Sequence, residues 1–337
     1  MFDPWSGNPW LFNPLAEAMK LQKRIHHEAG GLTREQLRER YEMADSRYLE
    51  IDGLQIHYRD VGEGPTLVLL HGLMSSLHTW NRWTDRLSQH FRVISLDLPN
   101  FGLTGPHPRG MCRFMYSDFL AEFTTALGIQ KCALAGNSMG GWIGWEYAAR
   151  FPERVSQLVL IDSAGFSFVP PTFMAGMAMP GGGWVYSRSL IPREQIEHML
   201  ESLYFDPQRI AESDKQRYYD LFMAEGNRTA AARVMRYVRD TMGFDTTMLD
   251  RIHLPVLLQW GANDPWMPLD HAGRFLKQLP HAQLKVYEHC GHLVMEEAAE
   301  NSAADCLAFL LAHQPEAQQT QAQAQDNNSS DQAAAQD

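Results

Sequence analysis

Lys131-Cys132-Ala133-Leu134-Ala135-Gly136-Asn137-Ser138-Met139-Gly140, followed by Gly141-Trp142-Ile143-Gly144-Trp145-Glu146-Tyr147-Ala148-Ala149-Arg150, is the stretch on which the fold turns. Its first five residues form a short apolar run that predicts a buried strand, and the residues from Gly141 to Arg150 predict a helix. Between them Gly136-Asn137-Ser138-Met139-Gly140 places a serine in a tight turn with glycine on either side. A side chain at either glycine position would crowd such a turn, where the backbone also takes a strained conformation. The helix start beyond Ser138 points free N–H groups and a partial positive charge at the serine. A small-residue turn without chemistry could carry the same five residues; the strand before it and the helix after it give it meaning.

On both sides of this unit apolar strands alternate with helices. Tyr48–Ile51 and Leu54–Arg59 flank Asp52-Gly53, a two-residue hairpin signal. Thr66–Leu70, Arg92–Leu96 and Ser156–Ile161 read as further strands, with helical stretches over Arg82–His90 and Tyr116–Leu127. The alternation stops at Asp162 and resumes with the strand Pro255–Trp260, a helix over Leu269–Leu279, the strand Gln283–Tyr287 and a final helix near Val294–Ala312. This pattern predicts a doubly wound, mostly parallel α/β sheet covered on both faces, with an antiparallel edge from the hairpin. The interruption, residues 165–250, holds Pro170-Pro171, a Met/Phe-rich segment, Gly181-Gly182-Gly183 read as a linker, and helix-like stretches over Gln208–Ala224 and Thr229–Thr241. It predicts a helical cap inserted into a core made of residues 46–164 and 251–313.

Residues 1–45 read as an added helical arm. Leu15, Ala18, Met19, Gln22 and Ile25 share one helical face, and a second helix is signalled by Thr33 as N-cap, Gln36 three residues on, and the staple pair Leu32 and Leu37. The arm is expected to pack on the body of the protein; the alternative is peripheral membrane contact through the arm or the cap. Residues 314–337, rich in Gln, Ala, Asn and Ser, have little to bury and are expected to be disordered. A formal charge of −11 over 337 residues argues against a nucleic-acid partner. Four widely spaced cysteines without a CxxC pair indicate neither a metal site nor a disulfide framework. With no signal peptide pattern and no long apolar run, the expected location is cytoplasmic.

Three further pieces fall at strand ends. His71-Gly72-Leu73 follows the strand Thr66–Leu70, so the Leu73 N–H can join the Met139 N–H as two fixed donors toward a developing oxyanion. His71 itself is expected to orient loops. Asp264, in Gly261-Ala262-Asn263-Asp264, sits at the carboxyl edge of the sheet, where it can hold an imidazole in one tautomer. Asp162, one strand earlier, is read as a structural acid. His292, in Gly291-His292 after the last strand, is the candidate base, and it follows Asp264 after a spacing of 28 residues, from 264 to 292.

With these residues in place the chain resembles the α/β-hydrolase superfamily over roughly residues 47–313. Asp97-Leu98-Pro99-Asn100-Phe101-Gly102-Leu103-Thr104 is similar to that family's Asp-x-Pro-Gly-x-Gly-x-Ser loop, with Asn100 and Thr104 as departures. Gly136-Asn137-Ser138-Met139-Gly140-Gly141, Leu160-Ile161-Asp162-Ser163-Ala164-Gly165-Phe166 and Gly291-His292 are similar to capped esterases and lipases and to monoacylglycerol-lipase-like members. The resemblance implies a serine esterase or lipase with Ser138 as nucleophile, His292 as base, Asp264 as acid, and Leu73 and Met139 as the oxyanion hole. It needs no metal and no organic cofactor, and its partner is a small, apolar ester. Phe166, Phe173, Met177 and Trp184 in the cap are the expected acyl-binding residues. The Asn-Ser-Met-Gly-Gly element also occurs in meta-cleavage C–C hydrolases, which would need a basic cap residue such as Arg188 or Arg193 for a substrate carboxylate. A perhydrolase and a non-catalytic ligand-binding homologue are the other readings. Ser138 argues against dehalogenases and epoxide hydrolases, which use Asp as nucleophile. Oligomeric state is not legible.

Overall fold

The computed structural model describes residues 31–189, 191–240 and 244–314. The helical face expected over Leu15 to Ile25 and the expected disordered tail beyond Gln314 lie outside the described residues. Eight strands make one sheet: β1 Ser46–Ile51, β2 Leu54–Val61, β3 Thr66–Leu70, β4 Arg92–Leu96, β5 Cys132–Asn137, β6 Val155–Ile161, β7 Val256–Gly261 and β8 Gln283–Tyr287. Their order is β1-β2-β4-β3-β5-β6-β7-β8. The hairpin β1–β2 and its pairing with β4 are antiparallel, and every pair from β4–β3 to β7–β8 is parallel. The inner parallel strands β3, β5, β6 and β7 are apolar and buried almost throughout because helices flank the sheet, whereas the edge strand β8 is largely exposed. Helix Asn81–Leu87 packs with helix Ala299–Ala312, where the Trp83 indole N–H donates to Ser302 Oγ at 3.1 Å. Helix Met115–Ala126 packs with helix Met139–Arg150.

Register puts the chemistry at one edge. Leu70 pairs with Gly136 and Asn137 with Ile161, so the ends of β3, β5 and β6 come level beneath Ser138. The strand β5 runs two residues further than the apolar run suggested and stops at the serine.

Between β6 and β7 lie helices Thr172–Ala178, Gly182–Arg188, Arg193–Glu201, Glu212–Met223 and Asn227–Asp240. Gly181-Gly182-Gly183 is not a linker. Gly181 sits at φ 79° as N-cap, and the other two begin the second of these helices, where a Cβ on Gly182 would collide with the Gly176 carbonyl of the first. The single helix expected over Val294–Ala312 is broken at Ala298 into Val294–Glu297 and Ala299–Ala312. The break lets the buried Glu297 carboxylate accept from the N–H groups of Gly291, Phe205 and Asp206 instead of facing solvent.

The arm is helical over Arg34–Tyr41, and its start is the expected capping box, with Gln36 N–H donating to Thr33 Oγ1 and Thr33 N–H to Gln36 Oε1. Leu37 packs with Leu32, Leu103, Leu221 and Ala224, and Arg34 donates to the carbonyls of Leu103 and Glu225. This part of the arm therefore ties the helical insert to the sheet. Among the described residues no helix is long and apolar enough to cross a membrane.

Candidate active site

Ser138 stands between β5 and its helix at φ 55° and ψ −114°, a conformation that non-glycine residues adopt only under constraint. The constraint is visible in the neighbouring bonds. Ser138 N–H donates to the Ile161 carbonyl at 2.9 Å, and the Ser138 carbonyl accepts from Trp142 and Ala164. A Cβ on Gly136 would run into the Gly140 carbonyl, and one on Gly140 into the Leu70 carbonyl. Only glycine at both positions lets the strand, the turn and the helix close this tightly.

Asp264 and His292 come to the same edge from the loops after β7 and β8. His292 Nδ1 lies 2.6 Å from Asp264 Oδ2, and both residues are buried. Asp264 Oδ1 accepts from the backbone N–H groups of Trp266 at 2.7 Å and Met267 at 2.9 Å, so one carboxylate oxygen is fixed by the chain and the other by the imidazole. The Trp266 ring lies 5.5 Å from the His292 ring. Ser138 Oγ is not hydrogen-bonded to His292 Nε2 in this arrangement; catalytic hydrogen bonds of this kind often tighten only in the complex with substrate.

Asn137, which the sequence reading passed over, fastens the two halves of the site. Its Nδ2 donates to the His292 carbonyl at 3.0 Å and to the Ile161 carbonyl at 3.2 Å. The signal available in the sequence was its place before the serine, but nothing local names an acceptor 155 residues away. His71 takes the orienting part expected of it. It accepts the Leu98 N–H on Nε2 at 2.9 Å, leaving Nδ1 to donate to the Gly72 carbonyl at 2.7 Å, and its burial lowers its pKa. In the loop after β4, Asn100 tolerates φ 83° and Thr104 Oγ1 donates to the Asp97 carbonyl, so both departures from the family pattern are accommodated.

The pocket over Ser138 is narrow in this arrangement, a cavity of about 30 Å³. Leu73 and Met139 border it beside the serine, and the Met139 N–H, first in its helix, has no intrahelical acceptor. Trp142, Ala164, Trp266 and Met267 form its walls. Phe168, Met174 and Phe244, with Val234, Met235 and Val238 of helix Asn227–Asp240, close it from above. No charged side chain lines it among the described residues.

The four expected acyl-binding residues are elsewhere. Phe166 packs on His271 and Phe275, and Phe173 on Tyr186 and Phe222. Met177 is fully buried and Trp184 is 64% exposed. The correction has a simple cause. Helix Thr172–Ala178 turns about 100° per residue, so presenting Met174 to the pocket turns the adjacent Phe173 toward Tyr186 and Phe222 of the insert.

An oxygen of Asp162, an oxygen of Asp264 and a nitrogen of His292 lie within 4.8 Å of one another. Asp264 and His292 already spend these atoms on each other and on backbone donors, so the set reads as a proton-sharing cluster rather than a metal cradle. The four cysteines are free, with Cys132 buried in β5 as expected.

A strained serine, an imidazole and a carboxylate at the carboxyl edge of such a sheet define a class of hydrolases. The chain belongs to the α/β-hydrolase family, whose profile, described as alpha/beta hydrolase fold, matches residues 65–299. A 2-hydroxy-6-oxononadienedioate/2-hydroxy-6-oxononatrienedioate hydrolase of Paraburkholderia phymatum is 30% identical over 290 residues, covering 80% of this chain and 96% of that protein. A 2-hydroxy-6-oxo-6-(2'-aminophenyl)hexa-2,4-dienoic acid hydrolase of Metapseudomonas resinovorans is 27% identical, covering 82% of this chain and 94% of that protein. A solved membrane phospholipase A is 27% identical at a TM-score of 0.65, covering 89% of this chain and 92% of the other. These relatives bear the names of dienoate hydrolases and a phospholipase, not of monoacylglycerol lipases, so the branch expected from the motifs gives way to the wider family.

Proposed function

We propose that this protein is a serine hydrolase of carboxylic esters with apolar acyl chains. The observation that carries the reading is the pocket over Ser138, which offers apolar side chains and, among the described residues, no cation for a carboxylate-bearing substrate. Ser138 Oγ attacks the ester carbonyl while His292 Nε2 takes its proton, and Asp264 holds the other imidazole nitrogen protonated and supports the resulting imidazolium. The N–H groups of Leu73 and Met139 receive the oxyanion. His292 then protonates the leaving alcohol, and a water it deprotonates releases the acid from the acyl-enzyme and restores Ser138. The residues between β6 and β7 act as the cap that selects the acyl chain. Val169, Met179, Trp184 and Val185 on that cap are exposed, apolar side chains suited to the lipid–water boundary where such esters collect.

The names of the dienoate-cleaving relatives favour a second reading, C–C bond hydrolysis by the same serine. The arginines that could hold a dienoate carboxylate are engaged away from the pocket. Arg188 lies over the Trp184 ring at 4.9 Å, and Arg193 pairs with Glu197, Gln216 and Glu212. The test is a series of p-nitrophenyl esters of increasing acyl length run beside a meta-cleavage dienoate. Specificity should rise over the first several carbons, because each buried methylene contributes up to about 0.8 kcal/mol, and then fall as the chain outgrows the pocket. Faster cleavage of the dienoate than of any ester would replace this reading with the second.

A further inference from the structure

Asp162 is a carboxyl group with too few partners for a charge. It is fully buried at the end of β6, at φ 44°, and its Oδ1 accepts a single hydrogen bond, 2.8 Å from the Gly261 N–H. Its Oδ2 is buried without a well-formed hydrogen bond from a fixed donor; the Val294 N–H and the Asp264 carboxyl are the polar groups near the Asp162 carboxyl besides Gly261. Within 4.8 Å lies Asp264, which is far better supplied, with two backbone N–H groups on one oxygen and His292 Nδ1 on the other. Two carboxylates cannot both stay ionised at this separation away from water. The proton belongs on the one with fewer donors, which is Asp162. Burial and then the charge of Asp264 push its pKa well above the ordinary carboxylate range. The other titratable groups facing it come from the loop after β8, His292 and the buried Cys290 thiol, with Glu297 and Arg209 beyond the thiol. Among the described residues no guanidinium or ammonium is hydrogen-bonded to either Asp162 oxygen.

We propose that Asp162 is a positioning residue for the Asp264–His292 pair, a neutral carboxylic acid whose hydroxyl is shared with Asp264. Resting on the serine-hydrolase reading above, it tunes the base without touching substrate. A hydroxyl donated to Asp264 spreads that carboxylate's charge and weakens its hold on the His292 proton. The reactivity that depends on His292 accepting from Ser138 therefore extends to lower pH than with Asp264 unshared. Remove the donor and Asp264 stabilises the imidazolium more strongly, so the acidic limb of reactivity moves to higher pH.

The test compares the full-length wild type with Asp162→Ala and Asp162→Asn. The readout is the rate at which a fluorophosphonate labels Ser138 as a function of pH, which reports the state of His292 without needing the true substrate. Asp162→Ala should shift the acidic limb upward by roughly half a unit to one unit. Asp162→Asn, whose amide N–H can replace the hydroxyl, should return the limb toward wild type. A purely structural acid would lower the melting temperature in both variants and leave the limb where it is, and that result overturns the proposal. If Asp162→Ala does not fold, an infrared difference spectrum of wild type minus Asp162→Asn at neutral pH decides. It should contain a protonated carboxyl band, and its absence, or a carboxylate band in its place, also overturns the proposal. Ester turnover is measured in parallel. Labelling of Ser138 without ester turnover would reject the ester reading while leaving the pH limb readable, so the two fail separately.

Discussion

Replacing Asn137 by Ala tests whether the elbow and the histidine loop are held together as the structure implies. The variant loses two donated hydrogen bonds, but they are not equivalent. The Ile161 carbonyl keeps the Ser138 N–H at 2.9 Å, so there only a net hydrogen bond is lost, about 1 kcal/mol. The His292 carbonyl is left without that donor in a buried place, which costs about 1–3 kcal/mol. Against this, Asn137 Oδ1 is itself buried with no partner, and its removal offsets part of the loss. The sum is about 1–3 kcal/mol, or a fall in melting temperature of very roughly 5 °C for a domain of this size. The kinetic effect should exceed the thermodynamic one, because the bond that goes is the one holding the His292 backbone. We expect kcat on a p-nitrophenyl ester to drop well beyond any change in KM. Asn137→Asp should do worse at neutral pH, since it sets a carboxylate against two carbonyl oxygens. Thermal denaturation and steady-state kinetics check both variants. An Asn137→Ala enzyme with the melting temperature and kcat of wild type would show that the His292 loop is positioned by something else.

Three other outcomes are expected. Asp264→Asn should lower turnover by about four orders of magnitude: the backbone donors of Trp266 and Met267 hold the amide oxygen, turning the NH2 toward His292 Nδ1 and forcing the proton onto Nε2. Full activity in that variant would remove Asp264 from the mechanism. Met235→Ala should move the preferred acyl length upward by roughly one or two carbons while sparing acetate esters, whereas Phe173→Ala should cost stability with no change of preference. The reverse pattern in a chain-length series would put the acyl chain elsewhere. Acid should destabilise the fold in two windows, followed by urea midpoint against pH. Burial lowers the His78 pKa to about 4, so protonation of the unfolded chain from its ordinary value of 6.5 draws stability down between 6.5 and 4. Burial would raise the Asp97 pKa, but its bond to His57 and the nearby imidazoles outweigh this and hold it at about 2, so its contribution is present above 3.8 and lost as pH falls toward 2. His78→Gln should shrink the upper window without abolishing it, because burial lowers the pKa of His71 as well.

The strand, turn and helix around Ser138, the hairpin at Asp52-Gly53 and the capping box at Thr33 were all legible in the sequence, because each depends on residues within a few positions of one another. The order Ser138, Asp264, His292 was legible too, since a parallel sheet delivers every strand end to the same edge. Other features were decided only when distant segments met. Whether Met174 or Phe173 faces the pocket depends on how one helix of the insert docks over the sheet, a rotation that the Met/Phe composition leaves open. Val234, Met235 and Val238 reach Ser138 from a segment about a hundred residues away, with no local pattern that singles out a pocket face. The break at Ala298 follows from Glu297 serving the backbone of a loop far back in the chain. The same holds for Asn137 and for Asp162, whose partners are supplied by loops beyond β7 and β8. Local chemistry names the turn and its serine; which side chains surround it is settled by long-range packing.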